Sequence, residues 1–183
     1  MAFWITSDLH FGHTNIMKFC PDTRQHDSVQ DMNEYIVQEW NRKVQPDDTT
    51  YILGDVAFCH HDVAIGFMNR LNGKKILIEG NHDSKLLKME SFRDCFSEIH
   101  KYHEIKINGT TVVMFHYPIT EWNRMHHGSV HLYGHLHNSL SGLEKYRARN
   151  VGMDTTGEVV VKLEDIVNDA LTGDIKSHHQ TGD

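Results

Sequence analysis

The sequence predicts an α/β protein in which two β-sheets pack together with helices outside them. In the first half of the 183-residue chain, short apolar strands alternate with helical patterns. This alternation favours a parallel sheet with crossover helices. The second half is dominated by strands and carries a hairpin signal at Asn108-Gly109. The chain has no internal repeat or linker, so we expect one domain over residues 1–173 and a polar tail over residues 174–183.

The elements of the first half follow from their hydrophobic periodicity. Apolar residues recur every three or four positions over residues 29–44, which predicts an amphipathic helix with Ser28 as its N-cap and Pro46 beyond its end. Further helices are expected over residues 63–71 and 84–96, the latter capped by Ser84. Strands are predicted over residues 2–7, 50–53 and 75–79.

The second half contains the hairpin and a final helix. Its arms cover residues 102–107 and 110–115, and further strands are expected over residues 129–133, 149–153 and 158–161. The last helix spans residues 163–171 and ends before Gly173.

Composition limits the partners of the chain. A net charge of -7 disfavours strong non-specific binding to nucleic acid. No apolar stretch is long enough to span a membrane, and no signal peptide precedes the first strand. The three cysteines, Cys20, Cys59 and Cys95, are widely spaced, as is typical of free thiols in a reducing compartment. We therefore expect a cytoplasmic protein, while the sequence leaves the oligomeric state undetermined.

Five loops after apolar strands begin with side chains that can bind metal. Because ligands bind beyond the carboxyl ends of the strands in open α/β sheets, parallel strands would bring several of these loops to one edge. Glycines before Asp55, Asn81 and His135 would allow the backbone to approach the site closely. The candidate ligands in these loops are Asp8, His10, Asp55, Asn81, His116, His135 and His137.

The ligand types indicate the ions. Oxygen and imidazole ligands without cysteine suit Mn, Fe, Zn, Co or Ni. Seven ligands are too many for one ion, but they suffice for two if one carboxylate bridges. A pair of divalent ions is the arrangement that phosphatases and nucleases use for in-line displacement at phosphorus. We therefore expect two divalent ions, with manganese favoured, and a phosphoester substrate.

The ordered blocks Asp-x-His, Gly-Asp, Gly-Asn-His-Asp, His and Gly-His-x-His resemble those of the calcineurin-like metallophosphoesterases. The segments 7–15 and 150–154 are similar to those of the short bacterial and phage members. This resemblance implies a four-layer αββα sandwich of two mixed sheets flanked by helices. It further implies that Asp8, His10, Asp55 and His137 hold one ion, and that Asp55, Asn81, His116 and His135 hold the other.

The resemblance also implies the catalytic residues. His82 would donate a proton to the leaving group, and Asp83 would orient or charge its imidazole. A metal-bridging hydroxide would attack the phosphate in line.

Substrate contacts are assigned to Asn81, His13 and Arg24. His13 could equally cap or pack against a following helix, whereas for Arg24 a position in solvent is favoured over a contact with a second phosphate. Tyr117 and Trp122 could stack on a ring or pack in the core. Residues 119–128 match no pattern of the family and could form a specificity loop.

Two other functions compete with an enzyme. One is a catalytically silent metal-binding scaffold on the same fold, which would be expected to lack ligands or the proton donor. The other is a structural metal site, which would favour a closed set of four ligands, often with cysteine. Within the enzyme class, a diester is favoured over a monoester, and a small nucleotide or cyclic phosphate would suit so short a chain.

Overall fold

Two mixed β-sheets form the centre of the fold in the computed structural model, which describes residues 1–177. The strands are β1 Phe3–Thr6, β2 Thr49–Ile52, β3 Lys74–Ile78, β4 Glu98–His100, β5 Tyr102–Ile107, β6 Thr110–Phe115, β7 Val130–Tyr133, β8 Ala148–Asn150 and β9 Val161–Lys162. The helices are α1 Ile16–Phe19, α2 Val29–Lys43, α3 His61–Arg70, α4 Glu90–Arg93, α5 Met153–Thr156 and α6 Leu163–Leu171, with 3-10 turns at Leu86–Lys88 and Met125–His127.

The strand order confirms the predicted class of two mixed sheets with helices. The first sheet has the order β4-β3-β2-β1-β9, and only β9 runs antiparallel to its neighbour. The second sheet has the order β5-β6-β7-β8, with an antiparallel β5–β6 hairpin followed by parallel pairs. The strands that precede the candidate ligands therefore run parallel to one another within each sheet, β1, β2 and β3 in the first and β6 and β7 in the second.

The two sheets bury a common apolar core. Ile5 lies opposite Tyr51, and Tyr51 lies opposite Ile76, so one face of the first sheet presents these side chains together. They pack with Met114 and Leu132 of the second sheet. Helix α6 contributes to the same core and contacts β1 and β9 of one sheet and β7 and β8 of the other, so it closes one side of the sandwich.

The outer faces of the two sheets are covered differently. Helices α2 and α3 cover the first sheet, with Met32, Trp40 and Met68 fully buried in that layer. The outer face of the second sheet is covered by a loop with the 3-10 turn, whose Trp122 and Met125 pack against the sheet. This loop and turn therefore form the layer outside the second sheet.

Local signals correctly predicted several elements. Helix α2 begins after Ser28, whose Oγ accepts a hydrogen bond from the Asp31 amide at 3.1 Å. The hairpin turn has positive φ at both Asn108 and Gly109, 48° and 84°, as a tight hairpin turn requires. The final helix has the predicted bounds, Leu163–Leu171.

The predicted helix over residues 84–96 is wrong. The segment forms a 3-10 turn and then α4, separated by Met89 in an extended conformation with φ -88° and ψ 120°. Leu86 and Phe92 are both buried in the core of the first sheet. Six residues correspond to about 240° around a helix, so a continuous helix could not direct both side chains into that core. Ser84 accordingly caps no helix.

The strands near the end of the chain also differ from expectation. In place of the predicted strand over residues 149–153, β8 ends at Asn150 and α5 begins at Met153, while the strand predicted over residues 158–161 is the two-residue β9. Strand β4 was not predicted, because it is a short edge strand of mixed polarity. Asp174 still pairs with Tyr146, whereas His178 and His179 lie outside the described residues. Within residues 1–177 no helix has both the length and the apolar character needed to cross a membrane.

The shared core between the sheets yields a stability prediction. Leu132 is fully buried there, whereas Leu140 is exposed in a loop. Leu132→Ala should lower the free energy of unfolding by about 2–5 kcal/mol, because it removes buried contacts and leaves a cavity. Leu140→Ala should change it by less than about 0.5 kcal/mol. Urea unfolding followed by circular dichroism measures both, and equal effects would contradict this assignment of the core.

Candidate metal centre

The loops after the parallel strands bring all seven predicted metal ligands to one edge of the sandwich. Residues after β1, β2 and β3 come from the first sheet, and residues after β6 and β7 come from the second. Contacts across the sheets establish the convergence, since the His135 amide donates to Asp8 Oδ2 at 2.9 Å. The bridge between Ser7 and Gly152 joins the sheets beside this point.

One cluster consists of Asp8, His10 and His137. Their candidate ligand atoms all lie within 4.8 Å of one another. His10 Nε2 is 3.9 Å from Asp8 Oδ1, and the rings of His10 and His137 are 5.0 Å apart. Asp8 and His10 are buried, and His137 is partly exposed at the rim. A carboxylate and two imidazoles therefore face a common position.

A second cluster consists of Asp55, His116 and His135, again with candidate atoms within 4.8 Å. Asn81 joins it, because its Oδ1 lies 2.9 Å from both His116 Nε2 and His135 Nδ1. His116 Nδ1 is 2.6 Å from the Leu53 carbonyl oxygen, which can only accept, so this nitrogen carries the proton. If the His116 imidazole is neutral, its Nε2 faces Asn81 Oδ1 with a lone pair. Two lone pairs at this distance repel each other unless a cation or a proton lies between them.

Asp55 lies between the two clusters. Its Oδ2 is 3.7 Å from His10 Nε2, and its Oδ1 is 3.6 Å from His116 Nε2. The two oxygens of one carboxylate thus face the two clusters separately. This is the position that a ligand shared by two ions would take.

The backbone at the site is strained. Among residues 1–177, seven non-glycine residues have positive φ, and five of them are predicted metal ligands. This conformation is costly for residues with a side chain, and it persists only where the surrounding structure enforces it. Such strain concentrates at functional sites. The five ligands and their φ values are Asp8 (59°), His10 (52°), Asp55 (54°), His135 (72°) and His137 (50°).

The glycines before the ligands allow close packing of the backbone. A Cβ on Gly80 would lie 2.4 Å from Asp55 Oδ1, and one on Gly134 would lie 2.6 Å from Asp8 Oδ2. Gly54 has a φ of +82°, and its Cβ would approach the Gly80 Cα to 2.5 Å. Any side chain at these positions would displace a predicted ligand or a backbone segment that carries one.

Burial and neighbouring charges set the protonation of the clusters. Burial, together with the nearby His137 and Arg24, lowers the pKa of His10 to about 2, so this imidazole is neutral and able to bind a metal. Burial and His116 likewise lower the pKa of His135. Burial raises the pKa of Asp8, although His116 and His137 oppose this shift. The site therefore contains a buried carboxyl group whose charge requires a cation to offset it.

Two buried atoms at the centre test whether these residues fit a metal. Asp8 Oδ1 and His10 Nε2 are among four buried side-chain polar atoms that lack a hydrogen-bond partner within residues 1–177. Both belong to the first cluster, and they face each other. Unsatisfied buried polar groups are costly and call for an explanation such as a bound ion. The donor set and these two atoms fit a divalent cation.

Asp154 is a residue that the sequence interpretation missed. His137 Nδ1 donates to Asp154 Oδ2 at 2.7 Å, which leaves Nε2 directed toward the cluster. Although burial works against the shift, this hydrogen bond and the Asp8 charge raise the pKa of His137. Asp154 lies in the segment 150–154, which was noted for its likeness to a family strand but carried no chemical signal of its own.

The substrate role assigned to Arg24 is wrong, and so is the alternative of a solvent position. Arg24 is buried and pairs with Asp154 through two contacts of 2.8 Å, from Nε to Oδ1 and from Nη2 to Oδ2. Its guanidinium also donates to the carbonyl oxygens of Leu9 and Asp8, at 2.9 and 2.6 Å. Burial opposes the shift, but the guanidinium holds the pKa of Asp154 well below its usual range. With its donors used in this way, Arg24 supports the first ligand loop.

The role assigned to Asp83 also needs correction. Its buried carboxylate accepts hydrogen bonds from the amides of Asp55, Val56 and Gly80, at 2.8–2.9 Å, and none from the imidazole of His82. Burial raises the pKa of Asp83 even though these amides oppose the shift. Asp83 therefore ties the loop after β2 to the loop after β3. Asp83 binds backbone amides and not the His82 imidazole because its side chain is buried, whereas the side chain of His82 is exposed.

His82 and His13 lie at the mouth of the site. His82 is exposed, its Nε2 is 3.9 Å from Asp55 Oδ2, and its amide donates to Asp55 Oδ1 at 2.9 Å. His13 Nδ1 is 3.2 Å from His10 Nδ1, and its ring packs on Phe58 with centroids 4.5 Å apart. The amide of Asn81 is directed into the second cluster. His82 and His13 are thus placed where they can reach a bound substrate.

The segment 119–128 packs through Ile119, Trp122 and Met125 on the second sheet. Trp122 is buried against the outer face of the second sheet, where its ring is 5.3 Å from that of His131. Of the two alternatives for Trp122, stacking on a ring or packing in the core, the structure shows packing in the core. Tyr117 is at the site, because its ring lies 4.7 Å from that of His135.

Comparisons with known proteins show relatives along most of the chain, although no protein-family model matches it. An uncharacterized protein of Methanocaldococcus jannaschii is 29% identical over 173 residues, covering 90% of this chain and 88% of that protein. The gene 66 protein of Mycobacterium phage L5 is 28% identical over 204 residues, covering 90% and 93%. A solved structure of a protein of unknown function from Aquifex aeolicus matches with a TM-score of 0.73 and 24% identity, covering 91% and 98%. The chain shares its fold with this last protein.

The unpartnered atoms predict that the protein binds and is stabilised by a divalent cation. Mn²⁺ at about 100 times its Kd should raise the free energy of unfolding by about 2.7 kcal/mol relative to protein in EDTA. His10→Ala should reduce this gain, because it removes one of the two atoms, whereas the exposed His127→Ala should retain it. Chemical unfolding with and without Mn²⁺ measures the gain. An equal gain in all three proteins would place the ion elsewhere.

The buried Arg24 predicts a stability effect in place of a substrate effect. Arg24→Met should cost about 3–5 kcal/mol of unfolding free energy, because it leaves the buried Asp154 carboxylate without its guanidinium partner. Arg42→Met, at an exposed pair with Glu39, should cost no more than about 1 kcal/mol. Urea unfolding at neutral pH distinguishes the two. Wild-type stability in Arg24→Met combined with weaker phosphate binding would restore the substrate role.

Proposed function

We propose that this chain is a phosphoesterase of the calcineurin-like type that uses two divalent ions, with manganese favoured, to hydrolyse small phosphodiesters in preference to monoesters. The observation that carries the proposal is the pair of carboxylate and imidazole clusters that share Asp55. Within the first cluster, Asp8 Oδ1 and His10 Nε2 are buried and have no hydrogen-bond partner among residues 1–177. A structural site would need only four ligands, so the extra ligands support a two-metal centre.

The ligands divide between two positions in this proposal. Asp8, His10 and His137 would hold one ion, and Asn81, His116 and His135 would hold the other, with Asp55 bridging. Two bound divalent ions would supply an activated water as nucleophile and neutralise charge on the phosphate. The protein sets the geometry through the Leu53 carbonyl on His116 and the Asp154 carboxylate on His137.

His82 is the proposed general acid. Its exposed imidazole is near Asp55 but is not part of either three-residue cluster. A protonated imidazole there could donate to the oxygen of the leaving group, a type of catalysis that typically contributes a factor of about 10²–10⁴ in rate. The hydrogen bond from the His82 amide to Asp55 Oδ1 fixes its backbone relative to the shared ligand.

The preference for diesters is supported by the engagement of Arg24, whose guanidinium lies beside the first ligand loop. A monoester carries a second negative charge that a nearby guanidinium could offset. Arg24 cannot serve in this way, because its donors are used by Asp154 and by two backbone carbonyls. The competing function, a catalytically silent metal-binding scaffold, is disfavoured by the presence of every predicted ligand and of His82.

An assay of metal-stripped protein tests the proposal. Mn²⁺, Ni²⁺, Co²⁺, Zn²⁺ and Mg²⁺ are added separately, with bis-p-nitrophenyl phosphate and p-nitrophenyl phosphate as substrates. We expect metal-dependent hydrolysis that is faster for the diester. Asp55→Asn should abolish it, because the shared ligand loses its charge. Metal-loaded protein without turnover on any ester would favour the scaffold, and protein that binds no divalent ion would refute the proposal.

The role of His82 can be tested through the leaving group. His82→Ala should reduce kcat by about 10²–10⁴ for a 2′,3′-cyclic nucleotide, whose alkoxide needs a proton to leave. The loss should be much smaller for bis-p-nitrophenyl phosphate, because p-nitrophenolate is a good leaving group. His127→Ala serves as the control and should leave both rates unchanged. Equal losses on both substrates would show that His82 does not act as an acid.

A further inference from the structure

A cleft of about 430 Å³ opens beside the metal centre, and apart from His82 its lining takes no part in the proposed hydrolysis. Its apolar lining includes Phe58, Leu86 and Met89, and its polar lining includes Lys85. His82 lines it as well, so this side chain forms a wall between the cleft and the metal centre. The volume lies within the range of small-molecule binding pockets.

Phe58 is an exposed aromatic platform in this cleft. Its side chain is 52% exposed, although large aromatic residues are stabilised by burial. The ring is held between two histidines, with its centroid 4.5 Å from that of His13 and 5.2 Å from that of His82. Its amide donates to the Phe11 carbonyl at 2.8 Å, beside the bridge between Phe11 and Ala57. A backbone fixed in this way presents the ring in one place.

The polar groups that line the cleft differ in availability. The His60 and His61 imidazoles face Asp62, which lies outside the lining, at 3.4 Å from His60 Nδ1 and from His61 Nε2. Within residues 1–177, the Lys85 ammonium has no ion pair or hydrogen bond. An ammonium group has three donors and no acceptor, so it suits a ligand with acceptor atoms. The cleft thus combines a flat apolar surface with one available cation.

The position of the cleft relates these features to a substrate. His82 Nε2 lies 3.9 Å from Asp55 Oδ2, while its ring meets Phe58 edge to face at 83°. A phosphate anchored at the metal centre would therefore direct one of its ester groups past His82 and onto Phe58. A flat ring with acceptor atoms would match both the exposed aromatic surface and Lys85.

We propose that this cleft is a nucleoside-binding subsite, with the base stacked on Phe58 and an acceptor atom of the nucleoside facing Lys85. The proposal rests on the proposed function in one respect, which is that the phosphate binds at the metal centre. It narrows the small phosphoesters of the proposed function to nucleotide esters and names the residues that would bind the nucleoside. Stacking of a base on an aromatic side chain is tolerant of base identity, so we expect little discrimination among bases.

Equilibrium binding tests the subsite without requiring turnover. Adenosine 5′-monophosphate and inorganic phosphate are titrated separately into the Mn²⁺-supplied protein by calorimetry. The nucleotide should bind more tightly than phosphate by roughly 5- to 150-fold, which is the range that stacking of one base contributes. Phe58→Ala should remove most of this excess and leave phosphate binding unchanged, whereas Phe58→Tyr should keep it. Phe3→Ala, at a similarly exposed phenylalanine on the first strand, should have no effect.

Lys85 has its own matched variants. Lys85→Ala should weaken nucleotide binding several-fold without changing phosphate binding, and Lys85→Arg should largely restore it. Lys88→Ala, in the following 3-10 turn, should have no effect because Lys88 does not line the cleft. Equal affinity for the nucleotide and phosphate in the wild-type protein would overturn the proposal. An undiminished nucleotide excess in Phe58→Ala would also overturn it.

The outcomes separate this proposal from the proposed function. Nucleotide binding that depends on Phe58, in a protein without esterase activity, would support the subsite and refute the enzyme. Esterase activity with no contribution of Phe58 to nucleotide binding would support the enzyme and refute the subsite.

Discussion

The buried ion pair between Arg24 and Asp154 connects the parts of the molecule on which the candidate site depends. Asp154 comes from the helix after β8, and it also accepts from His137. Arg24 donates to the carbonyl of Asp8, the first predicted ligand. A charged pair removed from water is stable only if its remaining hydrogen-bonding groups are satisfied. Here the groups that satisfy the pair include the Asp8 carbonyl and the His137 imidazole. The hydrogen bonds that stabilise the buried pair therefore also hold these two predicted ligands in place.

A second constraint acts on the backbone. Asp8, Asp55 and His135 adopt left-handed conformations that cost free energy. The Asp83 carboxylate offsets part of this cost for the second loop, because it binds three amides across two strand ends. The two sheets supply the rest through a common apolar core. The site is therefore held in place by interactions distributed over both sheets. Such a site is preorganised for its ligand, and its strained backbone is maintained by the surrounding structure.

Sequence patterns predicted those features that depend on local chemistry. The Asn108-Gly109 turn and helix α2 follow from conformational preference and periodicity, and the order of ligand types after short strands was enough to assemble the seven candidates. Arg24 and Asp154 are 130 residues apart, so their pairing has no local signal. The sequence predicted that Asp83 acts on the imidazole of its neighbour His82. The direction of its side chain, however, depends on the backbone turn at this point, which the sequence pattern does not specify. The prediction of one helix over residues 84–96 failed because burial of both Leu86 and Phe92 outweighed helical propensity.

The pairing of β1 with β9 has a consequence for synthesis of the protein. The first strand of the chain hydrogen-bonds to the last one, and α6, directly after it, closes the side of the sandwich. During translation the first sheet therefore lacks an edge strand, and the apolar face shared by the sheets stays uncovered, until residues near 171 leave the ribosome. Contacts between such distant residues slow folding, since a long loop must close first. Until then the uncovered face is apolar surface of the kind that makes incompletely folded chains prone to aggregation.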